Sequence, residues 1–268
     1  MKFFLIIGGT GVMGTSAIKA IREHFDKNIQ IIANWYGKDI PGFEIEDADH
    51  TIFGDINDPV CREKIKQHNN GHFDYMFYAT ALGDVGIPIK DASKEQIDRS
   101  NKLSFDPIPQ LENELNINIT VAYSTFYTIR HQLSTYGAMG YSKENIEKWT
   151  IDSGGSSKHA CIRAGLFESA SSRGIKLLLR KASKNLDNLK DPLLRSYFEN
   201  SPSSEGIKKF EAGIFAEEKD AYGDCRTNKE DLFRAHLELF KSDNPVFINV
   251  CGKKIWPSEE PLLLKQYL

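Results

Sequence analysis

The first 25 residues restrict the chain to few folds. Lys2 to Ile7 is an apolar run rich in Phe, Leu and Ile, Gly8 to Gly14 reads GGTGVMG, and Thr15 to Phe25 is a helix-like run. A short apolar run closed by glycines reads as a strand buried on both faces. Strand, glycine loop and helix, in that order, is the setting in which a glycine motif points to phosphate binding. Glycines at 8, 11 and 14 suit a tight turn, a close approach of backbone to a pyrophosphate, and close helix–strand packing. The helix N-terminus offers free N–H groups and a positive dipole end. Gly8, Thr10, Gly11, Val12, Met13 and Gly14 are therefore candidate contacts to a dinucleotide. A tight strand–helix turn that binds nothing shows the same pattern.

The pattern of strand followed by helix continues. Strands are predicted at Ile29–Ala33, His50–Gly54, Phe73–Ala79, Ile117–Ser124, His159–Ala164 and Val246–Val250. Helices are marked by Asp58-Pro59, by a capping box of Ser93 and Gln96, and by a box of Thr227 and Glu230. Pro107 and Pro109 break or restart the helix that begins after Ser93. A long helix is predicted from about Tyr136 to Ser153, and residues 170–222 read as helices and loops without a clear strand. The expected fold is α/β, a Rossmann-type doubly wound parallel sheet with right-handed crossovers. Residues 1–268 form one domain, with 183–222 as a helical lid over the substrate. Within that lid, Leu193, Leu194, Tyr197 and Phe198 read as the buried face of a helix in preference to an acyl channel.

Composition excludes several partners. A net charge of −3 without a basic cluster argues against nucleic acid. The apolar N-terminal run is too short for a membrane span. Cys61, Cys161, Cys225 and Cys251 lie far apart with no C-x-x-C, so neither a disulfide framework nor a metal site is expected, and a reducing cytoplasm fits.

In a doubly wound sheet, ligands bind beyond the carboxyl ends of the strands. Asp55-Ile56, Ala79-Thr80-Ala81, Ser124 and Gly165–Ser169 all follow or close predicted strands and belong on that rim. At the end of the second strand, an acid would meet the ribose 2′-OH of NAD and a base the 2′-phosphate of NADP. The run there is Asn34-Trp35-Tyr36-Gly37-Lys38, with no acid at the tip and a lone lysine in the loop. NAD(H) and NADP(H) stay equally open.

Tyr136 and Lys143 are seven residues apart, which on an α-helix means about 20° of azimuth and roughly 10 Å of rise. A nearby ammonium favours the phenolate and lowers a tyrosine pKa. Such a phenol can give a proton or a hydrogen bond to an oxygen that gains charge. An aromatic packed at a helix start beside a surface lysine is the plainer reading of the pair taken alone.

The order of glycine loop, strands, Ser124 and the Tyr136/Lys143 pair resembles the short-chain dehydrogenases/reductases over nearly the whole chain. Most members place the tyrosine four residues before the lysine, where this chain has Met139. Tyr136, with six residues between it and Lys143, looks like the variant found in enoyl-acyl carrier protein reductases. The text Tyr136-Gly-Ala-Met139-Gly140-Tyr-Ser-Lys143 and the segment from Ala164 to Ile175 are similar to that family's. The resemblance implies that Tyr136 bonds a thioester carbonyl and its enolate and that Lys143 holds the nicotinamide ribose. It places the Phe167 backbone at the carboxamide and Ser169 where a threonine bonds the cofactor. Ser124 and Asn101 match the serine and asparagine of the common catalytic set, and Phe126 or Tyr127 falls where a second aromatic stands beside the substrate. The tighter GxxGxxG loop and the absence of N-N-A-G at Tyr78–Ala81 depart from the enoyl reductase pattern.

The expected activity is NAD(P)H-dependent reduction of the C=C of an enoyl thioester or related α,β-unsaturated carbonyl, in the cytoplasm; the sequence leaves open whether the chain is a homo-oligomer, dimer or tetramer. A carbonyl reductase or alcohol dehydrogenase of the same fold, and a dinucleotide-binding regulatory protein without turnover, remain as alternatives.

Overall fold

The computed structural model describes residues 1–25, 27–152 and 157–267. In chain order the elements are β1 (Lys2–Ile7), α1 (Val12–His24), β2 (Ile29–Trp35), β3 (His50–Phe53), α2 (Pro59–Lys66), β4 (His72–Tyr78), α3 (Lys94–Ser104), α4 (Pro107–Glu114) and β5 (Asn116–Thr125). They continue with α5 (Arg130–Leu133), α6 (Gly137–Ile151), β6 (Lys158–Ala164), α7 (Ala170–Ala182), α8 (Pro192–Ser196), α9 (Ser203–Tyr222), α10 (Lys229–Lys241), β7 (Phe247–Cys251) and β8 (Lys254–Ser258).

The strands form one eight-stranded sheet in the order β3-β2-β1-β4-β5-β6-β7-β8. All neighbours are parallel except β7 and β8. This is the expected doubly wound α/β fold. The strand order reverses between β1 and β4, and the crevice at that switch is where such sheets take ligands.

Alternation along each strand distributes the core between two faces. Phe4 and Ile6 of β1, Ile31 and Ala33 of β2, Phe77 of β4 and Val121 of β5 pack with Ala17, Ile18 and Ile21 of α1 and Leu232, Ala235 and Leu239 of α10. The intervening residues Leu5, Ile7, Ile32, Met76, Tyr78 and Ala122 pack on the other face with Ile65 of α2, Ile108 and Leu111 of α4, and Ile146 and Trp149 of α6.

Helix starts follow local side-chain chemistry. Asp58 accepts from the Val60 N–H at 2.9 Å, and Ser93 and Gln96 form the expected box at α3. Pro107 opens α4 at its first turn, so the proline restarts the helix. The predicted box at α10 is one residue off. Asn228, not Thr227, caps the helix and pairs with Asp231, whereas Thr227 Oγ1 accepts from the Gly252 N–H. The expected strand near Val246 is joined by an antiparallel edge strand, β8, which contains Pro257. The long helix ends at Ile151, and the predicted end at Ser153 lies outside the described residues.

Residues 170–222 contain α7, α8 and α9 and no strand, as expected. Leu194, Phe198, Ile207, Phe210 and Ile214 form a third core there with Phe126 and Leu179. Among the described residues, no helix is long and apolar enough to cross a membrane. The four cysteines are free thiols.

Candidate active site

The loop between β1 and α1 is shaped to receive an anion. Gly8 has φ +83°, and a Cβ there would lie 2.9 Å from Thr80 Oγ1, so the ends of β1 and β4 touch. A Cβ on Gly14 would lie 2.4 Å from Gly8 O, which lets α1 sit directly under the loop. A Cβ on Gly11 would meet only Gly8 O, at 3.4 Å. Gly11 stands at the N-cap of α1 without a side-chain cap, and the first turn holds no acid. The first N–H groups of α1 are thus left for a ligand.

A cavity of about 500 Å³ opens over this loop. Its wall includes Gly8, Thr10, Gly11, Val12 and Met13, then Asp55 and Ile56 after β3, Ala79, Thr80 and Ala81 after β4, and Ser124 at the end of β5. Tyr136, Lys143, Gly165, Phe167 and Ser169 complete the predicted set on the wall. Gly14 lies behind the loop and off the wall. The wall also includes residues that sequence reasoning missed, among them Asn34, Tyr36, Tyr123, Gln132 and Thr135. Asn34 and Tyr36 had a legible signal, since they stand where β2 ends.

Asn101 is off the wall. It lies on α3, where its Oδ1 accepts from Ser142 Oγ of α6 at 2.8 Å, so it joins two helices. Met139 is 4 % exposed and also absent from the wall, with its sulfur 3.6 Å from Ser104 Oγ of α3. The commoner tyrosine position of the superfamily thus points into a helix interface in this chain.

Tyr136 does not stand on the helical face expected for it. It is the N-cap of α6, and Gly137 after it has φ +49°. The regular azimuth of the helix therefore does not extend back to Tyr136. The turn is held from outside. Gly137 N–H donates to Ile87 O at 2.9 Å, Ala138 N–H to Asp84 O at 2.9 Å, and Gly86 N–H to Thr135 O at 2.6 Å. A Cβ on Gly137 would lie 2.5 Å from Asp84 O. The Tyr136 hydroxyl has no hydrogen-bond partner among the described residues, and burial pushes its pKa up to about 12. This corrects the expectation that Lys143 lowers it, because burial alone sets the direction.

Lys143 is 5 % exposed and donates to Tyr123 O at 2.8 Å. Burial draws its pKa down to about 8. Its remaining N–H groups are available to a ligand on the cavity side. Ser124 Oγ donates to Glu147 Oε1 at 2.6 Å. Ser169 caps α7 by accepting from Ser172 N–H at 3.1 Å. At the end of β2, the Asn34 amide donates to Ile52 O and Gly54 O, and Lys38 is exposed and off the wall.

Beyond Gly165–Ser169 the wall turns apolar, with Ile175 and Leu179 of α7 and Ile207, Phe210 and Ile214 of α9. The Lys176–Glu211 ion pair bridges these helices at 2.5 Å. Leu193, Leu194, Tyr197 and Phe198 are absent from this wall. Leu194 and Phe198 are buried in the helical core. Phe126 stacks on Tyr222 with centroids 3.9 Å apart, and Tyr127 donates through its hydroxyl to Leu262 O, so neither reaches the cavity. Among the described residues there is no cluster of metal-ligating side chains.

No family model matches the chain. No curated protein matches it in sequence. Solved structures do share its fold. A short chain dehydrogenase family protein from Francisella tularensis subsp. tularensis SCHU S4 is 17% identical, with 94% of this chain and 98% of that one covered at a TM-score of 0.59. A small-chain dehydrogenase in complex with NADPH is 12% identical over 94% of this chain and 97% of that one, at a TM-score of 0.57. Enoyl-[acyl-carrier-protein] reductase (NADH) from Aquifex aeolicus VF5 is 16% identical over 82% and 90%, at a TM-score of 0.51. At such identities the likeness shows the fold, that of the short-chain dehydrogenases/reductases.

Proposed function

We propose that the protein is an NAD(P)H-dependent reductase of a conjugated C=C in an enoyl thioester or related α,β-unsaturated carbonyl compound. The observation that carries the reading is the position of Tyr136. Tyr136 lines the same cavity as Lys143 and the glycine loop, and its hydroxyl has no hydrogen-bond partner among the described residues, whereas Met139 is turned into the α3 interface.

The residues present fit a dinucleotide. The uncapped start of α1 and the open side of Gly11 suit a pyrophosphate. Lys143 suits the hydroxyls of a ribose, and Asn34 and Tyr36 replace the charged side chain that would select one 2′ group. A reduced nicotinamide bound there would supply a hydride to the β-carbon, being oxidised as the C=C is saturated, while the proton that completes the product enters at the α-carbon from solvent. Tyr136 keeps its proton at neutral pH and donates a hydrogen bond to the substrate oxygen as charge gathers on it. Lys143 orients the cofactor ribose. Ile175, Leu179, Ile207, Phe210 and Ile214 give an acyl chain an apolar wall, with α7 to α9 as the lid.

The test is oxidation of NADH and of NADPH with crotonyl thioesters and longer homologues, for wild type and Tyr136→Phe. Wild type turns over, and Tyr136→Phe lowers kcat by roughly 10²–10³. No turnover by wild type at any acyl length with either cofactor overturns the proposal. Carbonyl reduction, with Tyr136 as the proton donor, is the second reading. Turnover of saturated ketones without turnover of enones would establish it instead.

A further inference from the structure

A carbonyl oxygen only accepts hydrogen bonds, so a hydroxyl on the cavity wall assists it only with a hydrogen still to give. Tyr136 has one. Ser124 has committed its own, since its Oγ donates at 2.6 Å to Glu147 Oε1, and the alternative acceptor, Thr125 O, is 3.5 Å away. Thr125 and Thr135, also on the wall, donate to Ala164 O and His131 O.

Glu147 lies on α6 four residues beyond Lys143 and is completely buried. Both of its oxygens are filled with donors. Arg163 Nε joins Ser124 on Oε1 at 3.0 Å, and Arg163 Nη2 at 2.7 Å and the Leu262 N–H at 2.5 Å occupy Oε2. A carboxyl so surrounded is an ionised acceptor, which leaves Ser124 as the donor. Arg163 is fixed in turn. It is 4 % exposed, donates through Nη1 to Asn249 Oδ1 at 2.8 Å, and lies over the Phe247 ring. Turning the Ser124 hydrogen into the cavity would forfeit a short charge-assisted bond, roughly twice as strong as a neutral one.

We propose that Glu147, held by Arg163, is a positioning residue that limits the donors offered to the substrate oxygen: Ser124 meets a ligand as an acceptor, and of the Ser124–Tyr136 pair only Tyr136 donates. The inference rests on the reading of the cavity as a carbonyl-activating reductase site. Its consequence is substrate choice. Reduction of a saturated ketone leaves an alkoxide that must take up a proton at oxygen, a step that a second donor assists. Conjugate reduction restores the carbonyl and takes its proton at carbon, so one hydrogen bond at oxygen suffices. Glu147 therefore biases the site towards conjugated substrates.

The experiment compares kcat/KM for a conjugated enone and the saturated ketone of the same carbon skeleton, with NADH and NADPH. Glu147→Leu/Arg163→Leu removes both buried charges together, a change that proteins often tolerate. Expected is a rise of about tenfold or more in the ketone-to-enone ratio, the size of one hydrogen bond to a reacting oxygen, and its loss when Ser124→Ala is added. A folded paired variant with an unchanged ratio overturns the proposal. A second readout needs neither turnover nor the paired variant. Low-temperature proton NMR of the wild-type protein should show a slowly exchanging Ser124 hydroxyl proton that disappears in Ser124→Ala, and its absence overturns the proposal too. If wild type reduces neither substrate, the reading of the site fails, and the hydroxyl proton still decides whether Glu147 holds Ser124.

Discussion

The ammonium of Lys143 donates to the main-chain oxygen of Tyr123 at 2.8 Å, tying the middle of α6 to the end of β5 one residue before Ser124. That bond anchors a cation deep in the protein, on the wall of the cavity. It does not cancel the cost of burial, which holds the pKa near 8.

The first consequence is a pH dependence of opposite sign for folding and for ligand binding. The folded pKa lies below the unfolded value, so the unfolded chain binds more protons between about pH 8 and pH 10.4. The penalty from Lys143 is complete below pH 8 and is relieved as pH rises through that window. Urea unfolding at pH 6.5 and pH 9.5 should show the stability difference between wild type and Lys143→Met moving in favour of wild type, by on the order of 2 kcal/mol. NADH or NADPH affinity should run the other way. In wild type it weakens above pH 8 as the ammonium is lost, and in Lys143→Met it is weaker at all pH values and nearly flat. A wild-type Kd independent of pH from 7 to 9.5 would contradict this.

Gly137→Ala tests the turn that carries Tyr136. The left-handed conformation alone costs an alanine about 1–2 kcal/mol, before the clash with Asp84 O is counted. Thermal unfolding should fall accordingly, and kcat should fall more than cofactor affinity, because Tyr136 moves and the glycine loop does not. Equal losses in both would argue that the turn and the loop are one unit.

Gly11→Ala and Gly14→Ala should separate binding from folding. The added methyl at Gly11, a residue of the cavity wall, has one neighbour within 4 Å, so stability should stay near wild type while NAD(P)H affinity drops. At Gly14 it collides with Gly8 O and Gly9 Cα, so both stability and affinity drop. Isothermal titration beside calorimetric melting distinguishes the two patterns.

Asn101→Ala should behave as a packing change. It removes the acceptor for Ser142 Oγ and costs about 1 kcal/mol of stability. Its kcat should stay within a few-fold of wild type. A loss of a hundredfold with unchanged stability would return Asn101 to the catalytic set.

Local signals were legible wherever neighbouring residues alone decide the outcome. The run from Phe3 to Gly14, the Asp58 cap and the Ser93–Gln96 box involve residues a few positions apart, and the structure contains each. The Thr227–Glu230 box failed because two capping patterns overlap, and the Asn228–Asp231 alternative is the one that forms. β8 carries Pro257, which argues against a central strand but is tolerated at the sheet edge it occupies. Phe126 and Tyr127 suited a packed turn as well as the cavity, and sequence spacing has no means of separating the two, whereas Leu194 and Phe198, read as the buried face of a helix, are buried in the helical core.

By itself the sequence determined the doubly wound sheet, the glycine loop, and a set of candidate residues most of which stand on the cavity wall, because alternation and strand ends send side chains to one rim. Only the tertiary structure decided which groups there remain free to act. Gly137 reverses the backbone at the start of α6, so the position of Tyr136 depends on Asp84 and Ile87, some 50 residues earlier. Asn101 and Met139 turn into the α3–α6 contact, and Ser124 gives its hydrogen to Glu147. The periodicity of one segment sets which way its side chains point. Whether a polar atom is free depends on partners that only folding brings within bonding distance.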